Sequence, residues 1–184
     1  MKLLLTTLTA AMLAGPTWAQ QVVPAQSEIS FVIRQMGVPV EGKFKQWTAQ
    51  ISFDPKKPEA GKVGLSIQTG SASFGAAETD AEVPKATWFN VAKFPQASFA
   101  SSAIKPLGGG RFEVSGTLTI KGSSQSAVVP VTVSQTGTAA TAVGSFTIKR
   151  LDFKIGEGEW ADTSMVANDV TVKFKLALSG MAPL

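Results

Sequence analysis

Near the end of the chain apolar residues fall at every second position, Val170, Val172, Phe174, Leu176 and Leu178, with Thr171, Lys173, Lys175 and Ala177 between them. Side chains on a strand alternate faces, so the stretch predicts a strand with one apolar face and one mostly wet face. The same period recurs along most of the chain. Ile29, Phe31 and Ile33 share a face, as do Ile51 with Phe53, Val63 and Leu65 with Ile67, and Ala97 with Phe99. Phe112 and Val114 follow, then Leu118 and Ile120 after Gly116, then Val129, Val131 and Val133, then Phe146 and Ile148. Turn residues punctuate these runs: Asp54-Pro55, Lys57-Pro58, Gly61, Lys105-Pro106, the triplet Gly108 to Gly110, Gly122-Ser123 and Thr136-Gly137. The pattern is all-β, with eight or more short strands.

One connection breaks the rhythm. Between Gly70 and Phe94 the alternation weakens, and the composition predicts a short helix or two, one from Glu78 through Val83 and one around Ala86 to Asn90. Pro84 separates them, because proline disfavours helix at the residue before it. The connection carries Trp88 and Phe89 side by side, suited to plug one end of a barrel or to line an entrance, and its loop character makes it the candidate gate. Antiparallel strands in this number either pack as two sheets or close on themselves. A closed barrel of about eight strands has an interior that side chains fill or that holds one slender ligand. Periodicity alone leaves both architectures open.

Residues 1–19, MKLLLTTLTAAMLAGPTWA, place Lys2 before an apolar run from Leu3 to Ala14, then Gly15-Pro16 and the small residue Ala19. That is the layout of a secretory signal peptide cleaved after Ala19, with an uncleaved anchor as the alternative. The run is too short to span a bilayer. Residues 20–184 are then one exported domain, long enough to bury a core without crosslinks.

The chain has no cysteine and no histidine. Disulfide scaffolds, the usual zinc, copper and haem ligands, and the Ser/His/Asp and Cys/His nucleophile systems are therefore excluded. Two acidic groups remain, Glu78, Asp80 and Glu82, and Glu157, Glu159 and Asp162. Neither has the spacing of a calcium loop or of a paired-carboxylate glycosidase, so no enzyme, metal site or cofactor is expected. The net charge of +4 is carried by scattered lysine pairs rather than a connected stripe, which argues against nucleic acid. Arg150 and Asp152, two residues apart, would share a face on a strand and could form a local network or present guanidinium donors to a ligand oxygen.

Several segments, in order, resemble the YceI family. GTLTIKG, Gly116 to Gly122, followed by PVTV, is similar to the family's strand and turn motif, and KRLDFKIG, Lys149 to Gly156, to its later Arg-x-Asp-Phe-Gly-Ile segment. EISFVIRQMGVPVEGKFKQWTAQISFD, with Gly42 before Phe44, looks like the N-terminal strands, and WFNVAKFPQASFASSAI, Trp88 to Ile104, like the aromatic pair, the Phe-Pro and the following strand. The resemblance covers about residues 22 to 178. It implies a single lipocalin-like antiparallel barrel, commonly periplasmic and sometimes a homodimer, that binds a polyisoprenoid or an isoprenoid quinone inside. It places Phe31, Phe44, Phe53, Trp88, Phe89, Phe94, Phe99 and Phe153 near the channel; Arg150, singled out above by its spacing from Asp152, is the ligand-binding candidate at the mouth. Departures are visible: Gln35-Met36 and Ala81-Glu82 stand where the family often has histidines, and Phe153-Lys154 stands where it has Phe-Gly, so the polar anchor of the ligand is expected to differ or to be absent. The competing expectation is an exported β-sandwich interaction protein with a filled core and an exposed aromatic patch at Trp47 or Trp160.

Overall fold

The computed structural model describes residues 19–184. The leader expected at residues 1–19 lies outside them, apart from Ala19. Eleven strands appear: β1 (Ala19–Val22), β2 (Glu28–Gln35), β3 (Val38–Phe44), β4 (Trp47–Ser52), β5 (Lys62–Gln68), β6 (Ala72–Ser73), β7 (Gln96–Gly108), β8 (Arg111–Ile120), β9 (Ser123–Thr136), β10 (Ala139–Lys149) and β11 (Val166–Ser179). All pairings are antiparallel, and neighbours in the sheet follow chain order from β7 to β11.

Three pairs of strands are single staves broken by a kink: β1 and β2 at Pro24–Gln26, β3 and β4 at Lys45-Gln46, β5 and β6 at Thr69–Ser71. The first stave pairs with β11 along both halves, as Phe31↔Val172 and as Val22↔Leu178. It pairs on its other side with β3, as Ile33↔Val40, and with β4, as Gln20↔Ile51. Eight staves therefore close into an up-and-down barrel, which decides between barrel and sandwich. Small hydroxyls satisfy the backbone where the ladder breaks. Ser27 Oγ accepts from Ala177 N at 2.9 Å and donates to Val23 O, and Ser71 Oγ accepts from Gln46 N at 3.0 Å.

The connection between β6 and β7 holds one helix, α1 (Ala77–Glu82). Asp80 fastens it to β6, accepting from Ser73 Oγ at 2.7 Å and Phe74 N at 2.6 Å. Where a second helix was expected, hydrogen-bonded turns run instead. Asn90 takes a left-handed φ of 50°, which interrupts right-handed helix geometry there. The Gly108 to Gly110 hairpin matches its sequence, all three residues having positive φ.

Inward phenylalanines lie flat against the wall because glycine stands beside them. A Cβ on Gly42, the cross-strand partner of Phe31, would collide with the Phe31 ring, and one on Gly144, the partner of Phe174, with the Phe174 ring and the Pro130 carbonyl. Each glycine lets a ring cover the neighbouring backbone instead of projecting into the lumen. Gly144→Ala is accordingly expected to cost about 1–3 kcal/mol by overpacking and to narrow the cavity. Denaturant unfolding and ligand capacity, measured together on the variant, check both effects; unchanged values would show that the ring has room elsewhere.

Candidate functional site

The barrel encloses a cavity of about 650 Å³. Every alternating apolar run seen in the sequence contributes to its lining, and all five residues of the final run, Val170, Val172, Phe174, Leu176 and Leu178, face it. Its two ends differ in chemistry. At one end, next to the Gly108 hairpin and the C-terminus, Phe53, Phe112, Val133, Leu178 and Met181 form a buried cluster, with the Phe53 and Phe112 rings edge to face at 5.1 Å. The one polar side chain there, Gln20, is spent on the backbone of Phe53, donating to its carbonyl and accepting from its N–H at 2.8 Å each.

The other end lies under the Gly70 to Phe94 connection and the loop between β10 and β11. There the lining gains Gln35, Glu78, Thr79, Glu82, Lys85 and Glu159 beside Trp88, Phe89 and Trp160. Apolar depth and a polar mouth suit an elongated molecule with a long tail and a small head.

Of the residues expected at the channel, Phe31, Phe44, Phe53, Trp88, Phe89, Phe99 and Arg150 line the cavity. Phe94 and Phe153 lie outside its lining. Phe153 is 2% exposed in a cluster with Leu118, Ile120 and Ile155, and Phe94 packs over Gly122. Trp160 lines the mouth, its ring 5.6 Å from that of Trp88, whereas Trp47 packs against the cluster at the far end.

Arg150 is fully buried. It begins a 3-10 turn, Arg150–Phe153, rather than continuing a strand, so Asp152 is exposed and makes no ion pair with it. Instead its five N–H groups meet five carbonyls: Nε donates to Ala167, Nη1 to Ile155 and Gly156 at 2.9 and 3.0 Å, Nη2 to Trp160 and Val166 at 2.6 and 2.7 Å. The burial lowers its pKa without any carboxylate to offset it. Arg150 thus folds the β10–β11 loop over the mouth and has no donor left for a ligand. Lys154, where the resemblance led us to expect a glycine, takes the left-handed conformation, φ 57°, that glycine suits.

Lys121 is a second buried cation that the sequence did not single out, looking there like an ordinary hairpin lysine. Its side chain is 4% exposed, and Nζ donates to the carbonyls of Ala86 and Lys154 and to Glu157 Oε2 at 2.8 Å. One ammonium therefore ties the two mouth loops together. Among the described residues no group of three or more acidic side chains could hold a metal.

Three carboxylates hold the mouth with lowered pKa values. Asp80 is stabilised as the anion by the Phe74 N–H and then the Ser73 hydroxyl, Glu157 by Lys121, and Asp162 by the Ser164 hydroxyl and N–H. Folded values below unfolded ones mean that this stabilisation is complete above the ordinary carboxylate range and is lost as pH falls through the folded values. On acidification below about pH 4 the mouth loops are expected to loosen before the barrel. Tryptophan emission of a Trp47→Phe variant without residues 1–19, which reports Trp88 and Trp160, should change at higher pH than the far-ultraviolet signal of the sheet; coincident transitions would contradict this order.

The YceI-like domain model matches residues 20–178 of the chain. A UPF0312 protein of Pseudomonas savastanoi pv. phaseolicola is 34% identical over 134 residues, 70% of each chain. Protein YceI of Salmonella arizonae is 37% identical over 106 residues, 57% of this chain and 53% of that one. The crystal structure of Burkholderia cenocepacia BcnA is similar at a TM-score of 0.83 and 44% identity, covering 85% of this chain and 99% of BcnA. A polyisoprenoid-binding domain from Saccharophagus degradans, implicated in plant cell wall breakdown, shares the fold at a TM-score of 0.72 and 20% identity over 90% of this chain and 99% of that one. With the match running through every stave of the barrel, the chain belongs to the YceI family.

Proposed function

We propose that this protein binds and carries, or sequesters, a hydrophobic isoprenoid or quinone-like lipid in the periplasm, reached by way of its leader, and that it works by binding and release without catalysis. The observation that carries the reading is the cavity itself: apolar side chains from all eight staves surround about 650 Å³, and the charged side chains of the lining collect at one end, the other having only Gln20, which is bonded to the Phe53 backbone. Burying each methylene of a tail contributes about 0.8 kcal/mol, so a long chain needs no catalytic or charged group to be held. Membership of a family whose fold is shared by a polyisoprenoid-binding domain supports the same ligand class. The tail would extend towards Phe53, Phe112 and Met181, with the head under Trp88 and Trp160.

Native mass spectrometry of protein purified without detergent, followed by organic extraction, tests the reading. A prenyl lipid at about one per chain is the expected result. If no lipid copurifies and added prenyl lipids also fail to bind, the carrier reading falls.

A further inference from the structure

The first and second staves pair at their two ends but not between them. The β2–β3 ladder finishes at Ser30↔Lys43 and pairing resumes between β1 and β4 at Gln20↔Ile51, so residues 21–29 and 44–50 run past each other without register partners. The kinks alone do not account for this, because the other sides of the same two staves are stitched through theirs. Val23 N donates to Ala177 O and Ser27 Oγ accepts from Ala177 N, while Lys45 N donates to Ser71 O and Gln68 N to Gln46 O. A groove of about 530 Å³ lies over the unpaired seam, lined by Ser27 and Glu28 of the first stave, Lys43 and Thr48 of the second, and Ser66 and Gln68 of β5. No ion pair spans it among the described residues.

Side chains close this seam in place of ladder hydrogen bonds. Phe44 lines both the groove and the barrel cavity, the one residue common to the two, and its ring rests against that of Phe31 at 5.1 Å. Trp47 lines the groove beside it and packs against the apolar cluster of the deep end. A ring can swing aside without disturbing the sheet. Widening the mouth, by contrast, means breaking into five hydrogen bonds from Arg150 and three from Lys121, and the deep end is shut by the Phe53 and Phe112 cluster. Local opening is easiest where the fewest such bonds are lost, which is the seam. We infer that the tail of the ligand enters and leaves the barrel sideways, between the first and second staves, with Phe44 as the gate. The inference rests on the carrier reading and adds the route of exchange.

The chain has no cysteine, so a pair placed across either route can be bridged without competing thiols. Exchange is read by stopped-flow fluorescence with geranylgeranyl anthranilate as the probe. In Glu28→Cys/Thr48→Cys, bridged across the groove by a short reducible bis-methanethiosulfonate, uptake and release are both expected to slow at least about tenfold while affinity stays within about twofold, because a barrier on the path acts on both directions alike. Reductant should restore both rates in the same protein. Ala86→Cys/Lys154→Cys places the bridge where two backbone carbonyls meet at Lys121 Nζ, so it joins the mouth loops, and it is expected to change the rates by less than about twofold. Phe44→Ala is expected to raise the association rate about fivefold, which loss of a contact in the bound state alone would not do. Unchanged rates with the seam bridged, or slowing by the mouth bridge alone, would overturn the inference and return exchange to the mouth. If the wild-type protein takes up no probe, the carrier reading itself falls, whatever the route.

Discussion

Arg150→Lys is expected to lower the free energy of unfolding by about 2–6 kcal/mol, because an ammonium has three donors and at least two of the five carbonyls now served would be left unpaired at about 1–3 kcal/mol each. Arg150→Met is expected to cost more than the lysine variant, since it orphans all five carbonyls; removal of a desolvated charge offsets part of that loss. The carbonyls of Ile155, Gly156 and Trp160 belong to the loop that closes over the mouth, and that of Val166 to the first residue of β11. Loss of order should therefore begin there, and amide exchange in residues 150–166 should accelerate more than in β7 to β9. Urea unfolding curves give the energetic part. Variants within about 1 kcal/mol of wild type would mean that water takes over the carbonyls, and that the loop is held chiefly by Lys121 and the packing of Phe153.

The strands were legible because a closed barrel imposes one rule on every stave: inward residues apolar, outward residues wet. Val170 to Leu178 obeys it except at Ala177, which is outward yet buried, and the runs through Ile29, Val63, Val129 and Phe112 keep their inward positions apolar. The rule failed where the backbone leaves the sheet. Phe94 and Phe153 sit in a turn and in a 3-10 segment, so their placement follows local packing over Gly122 and within the Leu118 cluster rather than strand parity. Arg150 and Lys121 were opaque for a different reason. Their partners are mostly main-chain carbonyls, which carry no signature of residue type, and both cations look in sequence like surface charges. The acidic residues around Glu78 and Glu159 read as solvated loop charges; Glu78 and Glu159 are exposed, the first on α1 and the second in the β10–β11 loop, and only closure of the barrel brings them to the rim of an apolar cavity.

Ala142→Trp is expected to abolish measurable retention of a prenyl lipid while leaving the barrel folded. Ala142 is inward on β10, between Val133 of β9 and Leu176 of β11, and lines the cavity near its apolar end. An indole there would occupy lumen that four or five tail methylenes would otherwise fill. At about 0.8 kcal/mol per methylene the loss is about 3–4 kcal/mol, a weakening of several hundredfold. In a tightly filled interior the same change would fail differently, since large residues forced into packed cores strain the backbone and lower stability by about 1–3 kcal/mol. The two quantities read together are therefore decisive about what the greasy faces touch. Lost binding with a retained melting temperature means the indole has entered space that a tail uses. Lost stability with unchanged binding would mean that the staves pack against one another at Ala142 and that the lipid lies elsewhere in the barrel.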